Sequence, residues 1–139
     1  MKGKIFVDTN ILFYAHDLDA GSKHDTAAAI IENLWEEKTG VISTQVLQEF
    51  YVNVTRKITN PLPRAKARGI IENYLSWYLE MIGPETILAA SEIEERQILS
   101  FWDALIVAAA RNAGAETILT EDLNPGQKIE GILIENPFE

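Results

Sequence analysis

The sequence predicts an α/β fold of three layers, α/β/α, in which a small parallel sheet is flanked by helices. Two observations carry this reading. Short apolar runs that fit strands, such as Ile5-Phe6-Val7 and Thr117-Ile118-Leu119-Thr120, alternate with longer stretches of helical periodicity. Strands separated by helices pair in parallel, because each crossover returns the chain to the same end of the sheet. In addition, the stretch Asp103 to Asn112 is a helix apolar almost all round, so it must be central rather than peripheral. With 139 residues and 47 % hydrophobic content, the chain fits a single domain, residues 1–139, able to bury a core without disulfides or structural metals.

The elements follow in order. Lys4-Ile5-Phe6-Val7 is a strand that runs into Asp8-Thr9-Asn10, and Ile11 to Tyr14 begins a short helix or turn. Asp25 to Lys38 is an amphipathic helix burying Ala27, Ile30, Ile31, Leu34 and Trp35, ended by Gly40. Val41-Ile42 is a short strand, after which Ser43 can cap the helix carrying Val46, Leu47, Phe50, Tyr51, Val54 and Ile58. Asn60-Pro61-Leu62-Pro63 interrupts the pattern before another helix, expected to run to about Leu79. Ile82 to Leu88 should hold a turn at Gly83-Pro84 and a brief strand, and Ala89 to Leu99 a helix. The apolar helix from Asp103 ends at Gly114, and strands at Thr117–Thr120 and Ile132–Ile134 complete the pattern.

Composition narrows the function classes. The chain has no cysteine, which rules out disulfides and thiolate metal sites. Its start, Met1 to Lys4, leads into a strand rather than a signal-peptide core, and its longest fully apolar run, Ala104 to Ala110, is too short to span a bilayer. A cytoplasmic protein with no membrane partner is therefore expected. The formal net charge of -9 argues against a protein that coats nucleic acid with a basic surface. That total hides one segment, Phe50 to Ile71, with no acid but with Arg56, Lys57, Arg64, Lys66 and Arg68. It suits phosphates or an acidic partner, or is simply a solvated helix face.

Four acids stand beside apolar segments: Asp8, Glu49, Asp103 and Asp122. The C-terminal ends of strands are where α/β folds bind ligands, and carboxylates gathered there would suit a hard divalent cation, which takes oxygen ligands and keeps several waters. Two such ions about 3.5–4 Å apart can activate water and stabilise the leaving oxygen in phosphodiester cleavage. Each acid also has an ordinary reading. Asp8 suits an Asx turn or an N-cap, although Thr9 and Asn10 beside it can fix a carboxylate's orientation. Glu49 lies at the edge of its helix's buried arc, beside Asn53 and Val46, where an acid is usually solvated. Asp103 completes the S-x-x-D pattern of a capping box from Ser100, yet capping and ligation can share one turn. Asp122 follows a strand and precedes a turn, and strand alternation sends it and its rival Glu121 to opposite sides, so only one faces Asp8. Thr120 can support whichever does.

Taken together, Phe6-Val7-Asp8-Thr9-Asn10, Glu49 in a helix after Ser43-Thr44, Phe101-Trp102-Asp103-Ala104 and Leu119-Thr120-Glu121-Asp122-Leu123 resemble the PIN domain family over nearly the whole chain. The ending Asn136-Pro137-Phe138 is similar to its VapC branch, the toxins of toxin–antitoxin modules. The resemblance implies a PIN-like parallel sheet of about five strands, with Asp8, Glu49, Asp103 and Asp122 converging on one or two Mg2+ or Mn2+ ions, supported by Asn10 and Thr120. It favours Asp122 over Glu121 through the T-x-D pattern. The activity it implies is endonucleolytic hydrolysis of single-stranded RNA, by a homodimer held inactive by a small antitoxin that places an Arg or Lys among the acids. The basic residues Arg56 to Arg68 are the candidate phosphate track.

Two rivals are distinguishable. A haloacid-dehalogenase-type phosphatase needs a second Asp two residues after the first, where this chain has Asn10. A non-catalytic RNA- or protein-binding module of the same fold would use the acids only as caps. Elsewhere, His16 and His24 are expected in surface or capping roles, and Trp35, Trp77 and Trp102 at helical positions in the core rather than as base-stacking platforms.

Overall fold

The structure is a computed structural model describing residues 3–139; Met1 and Lys2, part of the start for which no signal-peptide core is expected, lie outside the described residues. In chain order the elements are β1 (Lys4–Val7), α1 (Thr9–His16), α2 (Ser22–Glu37), β2 (Gly40–Ser43), α3 (Thr44–Arg56), α4 (Arg64–Tyr74), β3 (Tyr78–Glu80), α5 (Pro84–Gln97), α6 (Phe101–Asn112), β4 (Ala115–Leu119), β5 (Lys128–Ile129) and β6 (Ile132–Glu135). The sheet order is β3-β2-β1-β4-β6-β5. Its first five strands are mutually parallel, as expected, and the sixth, β5, pairs antiparallel with β6. Glu130 and Gly131 join the last two with positive φ, 51° and 83°, the backbone that a two-residue hairpin requires.

β1 lies in the middle because Phe6 and Val7 are fully buried, and β2 is buried along its whole length. From β1 the chain crosses to β2 on one side, while β4 joins on the other. The strand order therefore reverses between β1 and β4, where α/β sheets open a crevice at the strands' C-terminal ends. Asp8 N donates to Leu119 O at 3.0 Å, pinning the ends of these two strands together. α6 is buried at every position from Ala104 to Ala110, the central helix its composition requires. α3 buries Val46, Leu47, Phe50 and Val54.

Several boundaries differ from expectation. α4 stops at Tyr74 and β3 begins at Tyr78, ahead of the strand anticipated after Gly83-Pro84. Pro84 instead occupies the first turn of α5, where its missing N–H costs nothing. Trp77 is buried, but in the connection before β3 rather than on a helix; its ring lies where a Cβ on Gly40 would go, and it packs on Trp35 and Tyr74. Trp35 is 37 % exposed, at the margin of the core, and Trp102 is 63 % exposed, so the expectation of a core role fails for it. His16 is no surface residue: it hydrogen-bonds Tyr74 Oη at 2.7 Å, packs edge-on against Phe50, and is pushed down to about 4 by burial. His24 does have the capping role, donating from Nδ1 to Tyr14 O in the last turn of α1.

Candidate active site

The strand-to-helix junctions aim polar side chains past the sheet. Asp8 ends β1 and caps α1; Oδ1 accepts from Thr9 N at 2.7 Å and Oδ2 from Thr120 Oγ1 at 2.7 Å. Ser43 ends β2 and its Oγ caps α3 through Val46 N, which sets Glu49 in the second turn just beyond the sheet. Ser100 Oγ accepts from Asp103 N at 3.1 Å and starts α6, so Asp103 stands in the first turn of the central helix. Thr120 and Asp122 follow β4 directly. Capping and placement thus coincide in the same turns.

These residues meet in one open cleft of about 480 Å³, lined by Asp8, Glu49, Asp103 and Asp122 together with Thr9 and Asn10. A hydrogen-bond network fixes the acids. The fully buried Thr120 hydroxyl donates to Asp8 and accepts from Asp122 N at 3.0 Å and Asn10 Nδ2 at 3.4 Å. Asn10 Nδ2 also donates to Asp122 Oδ2 at 2.9 Å, and Thr9 Oγ1 donates to Glu49 Oε1 at 2.6 Å. Glu121, the neighbour of Asp122, points elsewhere: it accepts from Tyr14 Oη at 2.6 Å and pairs with Lys23 at 2.8 Å. Burial alone would raise its titration, but Lys23 and Tyr14 outweigh it and hold the carboxyl below its usual range.

The electrostatics are those of acids crowded without a counter-charge. Asp8 is pushed up to about 7, mainly by burial, with repulsion from Asp122 and Glu49 adding to it and the hydrogen bonds from Thr120 and Thr9 opposing it. Burial also raises Asp103, again helped by Asp122 and Glu49. Among the described residues none of the four forms an ion pair. Such a group of hard oxygen donors suits a hard divalent cation that keeps several waters, since that cation needs only one or two carboxylates directly. Among the described residues, no three His, Cys, Asp or Glu side chains stand close enough together to hold an ion as they are arranged here, so the four acids share the cleft without forming a closed site.

Of the basic segment, Lys57 lines the cleft; Arg56, Arg64, Lys66 and Arg68 do not. All five are exposed and, among the described residues, free of ion pairs. Of the polar lining residues, Gln45 and Gln48 escaped the sequence reading, and Trp102 was assigned to the core instead. Gln45 is buried, and Trp102 borders the cleft while exposed. The signal for Gln45 was its spacing: Gln45, Glu49 and Asn53 recur at four-residue intervals, one polar stripe on α3, and all three line the cleft.

Among the described residues, no helix is long and apolar enough to cross a membrane. The sequence profile described as PIN domain matches residues 5–128. No curated protein matches the chain by sequence. Among solved structures, the chain is similar to the Mycobacterium tuberculosis VapC20, a sarcin-ricin loop cleaving toxin, with TM-score 0.64 and 23 % identity over 83 % of this chain and 87 % of that one. It is similar to a toxin–antitoxin complex from Klebsiella pneumoniae, with TM-score 0.69 and 20 % identity over 99 % of both chains. It also resembles VapBC2 from Rickettsia felis bound to a promoter DNA fragment, with TM-score 0.63 and 22 % identity over 95 % and 97 %.

Proposed function

The chain belongs to the PIN domain family, and on that premise we propose that it is a metal-dependent endoribonuclease cutting single-stranded RNA, the toxin of a type II toxin–antitoxin pair. The observation that carries this reading is the convergence of Asp8, Glu49, Asp103 and Asp122 on one cleft at the crevice between β1 and β4. Structural likeness to a sarcin-ricin loop cleaving toxin and to toxin–antitoxin complexes supports the substrate class and the partner.

The acids are the residues that would hold one or two Mg2+ or Mn2+ ions. A bound ion of this kind polarises the phosphodiester and makes water a better nucleophile. Hydrolysis adds one water across phosphorus and breaks one P–O bond to sugar; the leaving oxygen takes up a proton. The chain's own residues prepare this. Thr120 and the Thr9 amide fix both oxygens of Asp8, Thr9 Oγ1 orients Glu49, and Asn10 orients Asp122. Lys57 on the cleft is placed to meet a neighbouring phosphate. The uncompensated acids repel RNA until a cation is present, so binding and cleavage share one requirement.

The same acidity suits an antitoxin that inserts an Arg or Lys into the cleft and so competes with metal and RNA. A homodimer in the cytoplasm is the assembly and compartment we propose. The test is cleavage of a mixed RNA pool by antitoxin-free protein with Mg2+ or Mn2+, beside EDTA and Asp8→Asn. Metal-dependent cleavage missing from both controls supports the proposal. Equal cleavage by wild type and Asp8→Asn, or none with either metal, overturns it.

A further inference from the structure

We infer that Trp102 is the platform on which a nucleobase of the single-stranded substrate stacks while the adjoining phosphate lies at the carboxylates. This rests on the ribonuclease reading of the same cleft. Trp102 precedes Asp103 in the first turn of α6, so a flat aromatic face and one of the four acids occupy consecutive positions on the rim of one cleft. The contrast within α6 is the first observation: every residue from Ala104 to Ala110 is buried, whereas Trp102 leaves 63 % of its surface in water. Exposure alone is shared by Leu18, Met81 and Ile98; what sets Trp102 apart is its place on the rim of the cleft, next to Asp103.

The second observation is independent of the ring. Gln45 is 5 % exposed and lines the same cleft; its Nε2 donates to Trp102 O at 3.3 Å, while its Oε1 has no hydrogen-bond partner. A buried acceptor without a donor is costly, and turning the Gln45 amide toward the cleft would offer it to an N–H or O–H of a bound group. The bond to Trp102 O also ties this turn to α3 and holds the ring's base in place. Phe101 packs on Trp102 at 5.3 Å between ring centroids, edge-on rather than stacked face to face.

The cleft therefore has two chemistries side by side. Val52, Ile106 and Phe13 continue the apolar lining from Trp102, and the four acids form the charged part. A nucleotide has the same division, an apolar base face next to an anionic phosphate. Stacking on an aromatic side chain is tolerant of base identity, because every base has a π face, and it requires an unpaired base. The platform accordingly selects single strands over duplex without reading sequence, and favours purines for their larger face. An apolar side chain from a protein partner could also cover the ring, but it would bring no phosphate to Lys57 and the acids on the same cleft.

The test compares wild type, Trp102→Ala and Trp102→Phe. Binding of a labelled single-stranded oligoribonucleotide is measured by fluorescence polarisation in Ca2+, and kcat and KM for its cleavage in Mn2+. Trp102→Ala should weaken binding about tenfold or more, a typical loss for one stacked base. KM should rise with kcat changed far less, Trp102→Phe should restore most of the affinity, and the thermal midpoint of both variants should stay near wild type. Quenching of indole fluorescence by RNA should be present in wild type and lost in Trp102→Phe, although Trp35 and Trp77 remain. If Trp102→Ala binds and cleaves as wild type does, the inference fails while the nuclease reading stands, and the ring is left for a protein partner. If wild type binds through Trp102 but does not cleave, stacking stands and the nuclease reading fails. Wild type that does not bind single-stranded RNA at all overturns the inference.

Discussion

Replacing Asp8 by Asn should stabilise the metal-free protein, and the size of the gain should depend on pH. Asp8 is buried among other acids and titrates at about 7 rather than 3.8. An acid whose folded titration is raised favours folding most when protonated, so its stability is fully present below 3.8 and is lost as pH rises through about 7. The raised titration costs up to about 4 kcal/mol of stability at pH 8, where the folded carboxyl must ionise, and about 2 kcal/mol at pH 5, where only the unfolded chain ionises it. Asparagine abolishes that cost. Its Oδ1 can still accept from Thr9 N, but its amide N–H must be received by the Thr120 hydroxyl, which already accepts from Asp122 N and Asn10. Rearranging that bond costs about 1 kcal/mol. The net gain at pH 8 is therefore up to about 3 kcal/mol, which for a chain of this size raises the midpoint by up to roughly 10 °C. The assay is urea or thermal unfolding in EDTA from pH 4.5 to 8. His16, pushed down to about 4, opposes the trend by losing stability as pH falls through that value, but it is common to both proteins and cancels in their difference. A variant less stable than wild type by the same amount at every pH would refute the reasoning and restore Asp8 to a simple helix cap.

Four further outcomes follow from the same structure. Asp103→Asn and Glu49→Gln should each lower RNA cleavage by about 100-fold or more at saturating Mn2+ while unfolding close to wild type, as read by single-turnover cleavage beside circular dichroism. Thr120→Val should cost about 1–3 kcal/mol in urea unfolding, because it removes a buried hydrogen bond to Asp8 and two part-buried ones from Asp122 N and Asn10 at once. Gly40→Ala should cost about 1–3 kcal/mol, since the new methyl would overlap the Trp77 ring, and near-ultraviolet circular dichroism should report the displaced indole. Ile98 is a β-branched residue, 93 % exposed, held at φ 52°, so Ile98→Asn should stabilise by about 0.5–1 kcal/mol in the same assay.

Local chemistry made most elements legible before the fold was seen. Ser43 and Ser100 announced α3 and α6 because an N-cap is written in two or three residues, and the all-apolar run Ala104 to Ala110 placed α6 at the centre because nothing else can cover it. The stretch from Tyr74 to Pro84 was misplaced for the converse reason. Its three-residue strand carries no period, and Pro84 fits a helix's first turn as well as a turn between strands. The two-residue β5 is likewise too short for any pattern. Alternation correctly sent Glu121 and Asp122 to different surroundings, one against Tyr14 and Lys23, the other against Asn10 at the cleft. What periodicity cannot supply is where an element ends relative to the rest of the fold. Trp102 has the composition of a core residue, and only the assembled sheet shows that the first turn of α6 stands out from it.

The measurement that tests the central claim most directly is cleavage of a single-stranded RNA by the purified chain and Mn2+ in 18O-labelled water, with the new ends read by mass spectrometry. Hydrolysis organised by the four carboxylates predicts one solvent oxygen on the terminal phosphate of each cut, no 2′,3′-cyclic phosphate, and loss of both products in Asp8→Asn. Cyclic phosphate ends without solvent oxygen, or no cut at all, would contradict the account.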